Sequence, residues 1–125
     1  MFAEVSKTFI FDAAHKIECF GQGHKCGRLH GHTWTVEVYV AGAVFKETGI
    51  VIDYYDIMEA WAPINAALDH NFLNDIPGLE IPSTENIARF IWLALEPRLT
   101  STTYKLVRLV IQEGASDKCV FYGAC

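Results

Sequence analysis

Apolar and polar residues alternate with period two along several stretches of this chain and follow a helical period along two others. Glu4 to Asp12, rich in Val, Thr, Phe and Ile, predicts a first strand. From Thr33 to Val40, Trp34, Val36, Val38 and Val40 alternate with Thr33, Thr35, Glu37 and Tyr39, the mark of a half-buried strand. Lys46 to Gly49 reads as a turn. Asp53 then offers an N-cap, and Ile57, Met58, Trp61, Ile64 and Leu68 fall at helical spacing. Pro63 lies inside that pattern and predicts a kink. Asn71 to Pro82 reads as a loop. Ser83 or Thr84 caps a second helix whose apolar face is Ile87, Ala88, Ile91, Trp92 and Leu95. Pro97 and the run Thr100 to Thr103 end it. Tyr104 to Glu113 predicts a third strand, and Cys119 to Tyr122 a fourth, paired with it in a hairpin. Ala13 to Gly31, which holds Gly21, Gly23, Gly27, His15, His24 and His30, reads as a long functional loop.

The order ββααββ predicts one α+β domain over residues 1–125, with two helices on one face of a four-stranded, mostly antiparallel sheet. The other sheet face and the sheet edges need cover. Joining several such sheets into a shared barrel would supply it, because closure removes edges. The composition points the same way. The chain has 125 residues, of which 51% are hydrophobic. So small a domain has much surface for its volume, so part of that apolar surface is expected between subunits.

Charge narrows the function classes. The net charge is −5, which argues against broad nucleic-acid binding. No run approaches the roughly 18 apolar residues of a membrane span. Met1 to Phe11 lacks the pattern of a secretory signal, so the cytoplasm is the expected compartment. The four cysteines, Cys19, Cys26, Cys119 and Cys125, have no zinc-finger spacing and are expected as free thiols. Cys19, Cys119 and Cys125 have no cationic or histidine-rich context and read as small buried hydrophobes.

The chemistry concentrates in Cys26-Gly-Arg-Leu-His30-Gly-His32. If His30 and His32 begin the second strand, their spacing puts both rings on one face. His15, at the end of the first strand, is a plausible neighbour. Three histidines with an open fourth position make a catalytic zinc site. Lys25, Arg28 and such a metal would favour the Cys26 thiolate, which can take a proton or attack. Asp69-His70 follows the first helix. A carboxylate can hold an imidazole in one tautomer, although neighbours in sequence need not touch. Glu113 ends a strand in which Val107, Leu109 and Ile111 share its parity. It is either an exposed strand end or a carboxylate that pairs with a guanidine-like edge such as that of a pterin. Ser83-Thr84 caps the second helix and could also hold a ligand. Lys16, Lys25 and Arg28 give the loop a cationic balance that suits a triphosphate; His24 is ambiguous.

Six segments, in order, resemble the 6-pyruvoyltetrahydropterin synthase and 6-carboxytetrahydropterin synthase family over nearly the whole chain. They are Phe11-Asp-Ala-Ala-His15, Cys26-Gly-Arg-Leu-His30-Gly-His32, Leu68-Asp69-His70, Leu73-Asn-Asp-Ile-Pro-Gly-Leu-Glu80, Pro82-Ser-Thr-Glu-Asn86 and Glu113. The resemblance implies the tunnelling fold, with sheets of several subunits joined into a barrel and helices outside. It implies zinc on His15, His30 and His32, Cys26 as catalytic thiol with Asp69 and His70 as acid–base partners, and Glu113 as pterin anchor supported by Ser83 and Thr84. It implies interfacial active sites in a homo-oligomer, often a hexamer of two trimers. The short interval between Cys26 and His30 is similar to the 6-carboxy branch, which serves queuosine and related 7-deazaguanine compounds. That branch is a carbon–carbon lyase converting 7,8-dihydroneopterin triphosphate to 6-carboxytetrahydropterin, acetaldehyde and triphosphate. Its nearest rival is 6-pyruvoyl synthesis, without carbon–carbon cleavage. A rival of another class is a zinc- or pterin-binding protein with no turnover. Two positions depart from the family wording: Ser83 stands where Thr is common, and Gly114 where Thr usually follows the glutamate.

Overall fold

A computed structural model describes residues 1–21 and 23–123; Cys125 lies outside the described residues. Four strands form one sheet in the order β1-β2-β3-β4: β1 (Phe2–His15), β2 (His30–Ala43), β3 (Tyr104–Glu113) and β4 (Asp117–Phe121). Every neighbouring pair is antiparallel. The helices α1 (Tyr54–Leu68) and α2 (Thr84–Leu95) enter between β2 and β3 in sequence. They pack on one sheet face, α1 against β1 and α2 against β3 and β4. The ββααββ order and the predicted layers are borne out.

The alternation read along the second strand is the core itself. Trp34, Val36, Val38 and Val40 are fully buried under the helices. They meet Phe11 from β1, Leu109 and Ile111 from β3, Ile57, Trp61, Ile64 and Leu68 from α1, and Ile87, Ile91 and Leu95 from α2. Phe9 stacks on Trp61 at 4.8 Å, and Phe11 on Trp34 at 6.0 Å. Removing a buried aromatic from such a core costs about 3–5 kcal/mol.

Three expectations are corrected. The first strand does not stop at Asp12: it runs on through Ala13 and Ala14 to His15, opposite the start of β2, where His15 pairs with His30. Val107 does not share the buried face of β3. The β2–β3 register shifts between Tyr39 and Val40, so Leu106 is buried in its place, ahead of Leu109 and Ile111. Met58 is exposed, and Ala60 completes the buried stripe of α1. Pro63 lies inside α1, as its place in the pattern predicted, and faces solvent, where the carbonyl deprived of its donor can bond to water.

On the sheet face away from the helices, the Arg108 guanidinium lies 2.9 Å from Glu4 and 4.1 Å over the Tyr39 ring, whose hydroxyl donates to Glu37. This polar ladder explains why β1 and β2 alternate. β1 and β4 are the edge strands. No helix is long and apolar enough to cross a membrane, among the described residues.

Candidate active site

Strand register assembles the central cluster. His15 sits directly across from His30, and His32 follows two residues on, so three rings project together. Their centroids lie 4.6 Å (His15–His30), 4.8 Å (His30–His32) and 5.2 Å (His15–His32) apart. Trp34 supports them from below, edge-on to His15 at 5.1 Å and to His32 at 5.4 Å. Glu113, paired across from Trp34 at the end of β3, brings a carboxylate into the same group. Its Oε1 lies 3.2 Å from His15 Nε2 and 2.8 Å from His32 Nε2, and its Oε2 accepts from the Thr84 hydroxyl at 3.2 Å.

Carbonyls set the tautomers. A carbonyl only accepts, so the ring nitrogen facing it carries the proton. His15 Nδ1–H donates to Pro82 O at 2.8 Å, and His30 Nδ1–H donates to Arg28 O at 2.6 Å. The Nε2 lone pairs of both rings are thereby left for a ligand. Burial holds the His15 imidazole below its usual value of 6.5, opposed by the Pro82 carbonyl and Glu113. That favours the neutral ring a metal requires. His15 Nε2 and His32 Nε2 are buried without an aligned hydrogen-bond partner: Glu113 is near enough, but not in line. Orphaned buried nitrogens are costly. Three converging imidazoles, two of them with a buried Nε2 that lacks an aligned partner, fit a divalent metal, with Nε2 of His15, His30 and His32 as the donors. Zinc suits that donor set.

Cys26 reaches the cluster from the loop. It lies in a 3-10 turn, Lys25–Gly27, capped by His24, whose Nδ1 accepts from Cys26 N–H at 3.0 Å. His24 also stacks on Phe20 at 4.5 Å and stays out of the metal cluster. A Cβ at Gly27 would fall 1.6 Å from the Gly21 carbonyl oxygen, so only glycine lets the loop fold this tightly. Two cavities meet at Cys26, His30 and Glu113. One, of about 370 Å³, is lined by Lys25, His32 and Asp117 as well. The other, of about 290 Å³, adds His15, Ile17, Phe20, Ser83, Thr84 and Glu85. Ser83 is the N-cap of α2, accepting from Asn86 N–H at 3.1 Å, which leaves the Thr84 hydroxyl for Glu113. Lys16 pairs with Glu18 at 3.2 Å. Arg28 contributes its carbonyl to His30, and its side chain lines neither cavity. Cys19 is exposed rather than buried. Cys119 is half-buried on β4; burial, then Glu85, pushes its thiol up.

The Asp69–His70 pair does touch. Asp69 Oδ2 lies 2.9 Å from His70 Nδ1, and Asp69 Oδ1 accepts from Asp12 N–H at 3.0 Å. His70 N–H donates to Asp12 O at 2.6 Å, and the Thr33 hydroxyl donates to Asp12 Oδ1 at 2.6 Å. His70 takes a left-handed φ of +58°, the one such non-glycine among the described residues. The Asp12 N–H, then His70, lowers the Asp69 carboxyl; the Asp69 hydrogen bond raises His70. His70 lines a third cavity, of about 580 Å³, together with Asp12, Gly31, His32, Thr33 and Phe72. Cys26 does not line it. One chain therefore gathers the histidines, Glu113, Ser83, Thr84, Lys25 and Cys26, and presents Asp69 and His70 elsewhere.

Sequence reasoning missed Asp12, Phe20 and Asp117. Asp12 sits within the Phe11–His15 motif but carried no role of its own. The other two are single residues whose place only the folded loop and the β3–β4 turn define. Gly114 in that turn has φ +66°, which explains glycine there.

Known proteins resemble the chain in sequence and in fold. The family model described as 6-pyruvoyl tetrahydropterin synthase matches residues 4–124. A 6-carboxy-5,6,7,8-tetrahydropterin synthase of Synechocystis is 42% identical over 97 residues, 74% of each chain. A dihydroneopterin monophosphate aldolase of Pyrococcus furiosus is 36% identical over 104 residues, 83% of each. The solved 6-pyruvoyl tetrahydropterin synthase of Caenorhabditis elegans superposes with a TM-score of 0.88 at 21% identity, covering 99% of this chain and 97% of that one. At that identity the likeness is one of fold.

Proposed function

Since the chain belongs to the 6-pyruvoyl tetrahydropterin synthase family, we propose that it is the 6-carboxy type: a zinc-dependent carbon–carbon lyase. Its substrates are 7,8-dihydroneopterin triphosphate and one water, and its products are 6-carboxy-5,6,7,8-tetrahydropterin, acetaldehyde and triphosphate, on the route to queuosine and other 7-deazaguanine compounds. The observation that carries this reading is the convergence of three histidine rings with Glu113, on two cavities that Cys26 also lines. The interval of three residues between Cys26 and His30 and the relatives named 6-carboxy synthases favour this branch over 6-pyruvoyl synthesis.

The residues divide the work. Glu113 offers two carboxylate oxygens to the guanidine-like edge of the pterin, a pairing stronger than neutral hydrogen bonds. Thr84 orients that carboxylate, and Ser83 fixes the helix end beside it. His15, His30 and His32 hold the metal, which when bound supplies Lewis acidity to a side-chain oxygen of the substrate. Cys26 stands at the junction and transfers protons between side-chain carbon and oxygen. His70, kept charged by Asp69, serves as proton donor. Lys25 answers the triphosphate from the cavity lining, and Arg28 from the loop outside it.

His70 and Cys26 line different cavities, on the two sides of His32, and β1 and β4 are sheet edges. Both features support a homo-oligomer, a hexamer of two trimers, in which sheets join edge to edge and a neighbour's dyad completes each site.

The test is product identification by mass after incubating zinc-loaded protein with 7,8-dihydroneopterin triphosphate. Acetaldehyde with a 6-carboxy pterin is expected. A 6-pyruvoyl product without acetaldehyde would move the protein to the other branch. No turnover by folded, metal-loaded protein would leave a binding protein.

A further inference from the structure

Past His15, β1 has no strand to pair with: the β1–β2 register ends at His15 and His30. The peptide groups of Lys16 and Ile17 must find other partners. On one side a loop runs alongside β1, with Ala14 and Phe72 in a parallel bridge and Ala14 N–H donating to Asn71 O at 3.2 Å. The next turn, Leu73–Asp75, places Asn74 against Lys16. Lys16 N–H donates to Asn74 Oδ1 at 3.0 Å, and Asn74 Nδ2 donates to Lys16 O at 2.9 Å. A primary amide has one carbonyl and one NH₂, so Asn74 copies the two-bond pairing of a missing strand residue. On the other side Ile17 N–H donates to Cys26 O at 2.7 Å.

His15 is thus caught between pinned peptides, and its ring is fixed a third time by Pro82 O. It is also the one buried polar residue among the described residues, 2% exposed. We infer that Asn74 is a positioning residue for the metal site: its amide clasp on Lys16 sets where His15 Nε2 points, next to the Ile17 bond that ties the strand end to the loop carrying Cys26. The inference rests on the three-histidine metal reading above. Groups hydrogen-bonded directly to a metal ligand typically change metal affinity or activity about ten- to a hundredfold when removed, which sets the scale for Asn74, acting one residue from His15.

Two substitutions of nearly equal size test it. Asn74→Asp keeps the acceptor for Lys16 N–H but sets an oxygen against Lys16 O. Asn74→Leu removes both bonds. Zinc affinity is measured by chelator competition, and site geometry by the visible absorption of the Co²⁺-loaded protein. Both variants are expected to bind zinc about ten- to a hundredfold more weakly and to show a shifted Co²⁺ band. Asn71→Leu, whose side chain bonds Ala67 O instead, should bind zinc as the parent does. Parent-like zinc affinity and Co²⁺ spectra in both Asn74 variants would overturn the role of Asn74 and leave the metal site standing. Failure of the unaltered protein to bind zinc would instead bring down the metal reading, and this inference with it.

Discussion

His15 and His70 are the same side chain in two opposite settings. His15 is 2% exposed, at the end of a strand, and burial drives it toward the neutral form. His70 is exposed, on a left-handed turn, and Asp69 drives it toward the charged form. A neutral imidazole with a free Nε2 is a ligand; a charged one beside a carboxylate is a proton donor. The contrast teaches that environment assigns the roles here: burial outweighs the Pro82 carbonyl at His15, and the Asp69 carboxylate outweighs desolvation at His70. Pro82 O fixes the tautomer of a ring that burial drives toward neutral, and Asp69 stabilises a charged one.

The most damaging way to break the buried member is to remove a ligand. His30→Ala should lose zinc and lower turnover by about a thousandfold or more, since a Lewis acid supplies several kcal/mol. Metal analysis and a rate assay check it; a metal-filled, active variant would refute the ligand set. Glu113→Gln should keep zinc and weaken pterin binding by about ten- to a hundredfold, the worth of a charge-assisted hydrogen bond. Loss of zinc in that variant would make Glu113 a ligand rather than the pterin anchor.

The exposed member is sharpened by pH. His70 is raised in the folded chain, so its contribution to stability is complete below pH 6.5 and lost as pH rises through its folded midpoint. Asp69 is lowered, so its contribution is present above 3.8 and lost as pH falls through its own lower midpoint. The pair is therefore fully formed between those two limits. Asp69→Asn should bring the His70 titration, followed by NMR, down toward 6.5, and move the alkaline limb of activity the same way. An unmoved midpoint would show that Asp69 does not hold the charge. The smallest effect expected is at the α2 cap: Ser83→Ala should cost about 1 kcal/mol in denaturant unfolding.

The buried cluster was largely legible. An i,i+2 pair at a strand start fixes one face whatever the rest of the fold does. The reach of β1 to His15 was harder to read, because Ala13 and Ala14 have weak strand propensity. What holds Ala14 there is Asn71 O, distant in sequence. The β2–β3 register shift hid the burial of Leu106 for a similar reason: a bulge belongs to a pair of strands, not to one. The dyad was half legible. Its residues stand together in sequence, but contact depends on the left-handed turn at His70 and on Asp12 from another strand. That Cys26 and His70 open on different cavities has no signature in the linear order.

That separation makes one measurement most direct. Cys26→Ala and His70→Ala chains, each inactive alone, would be co-expressed in equal amounts and the mixed oligomer assayed with 7,8-dihydroneopterin triphosphate. If each site takes its thiol from one copy and its dyad from a neighbour, about a quarter of the sites should be intact, and activity should return to about that fraction of the parent. If the dyad served the Cys26 of its own chain, every site would carry a defect, and a mixture with no recovered activity would contradict the shared site.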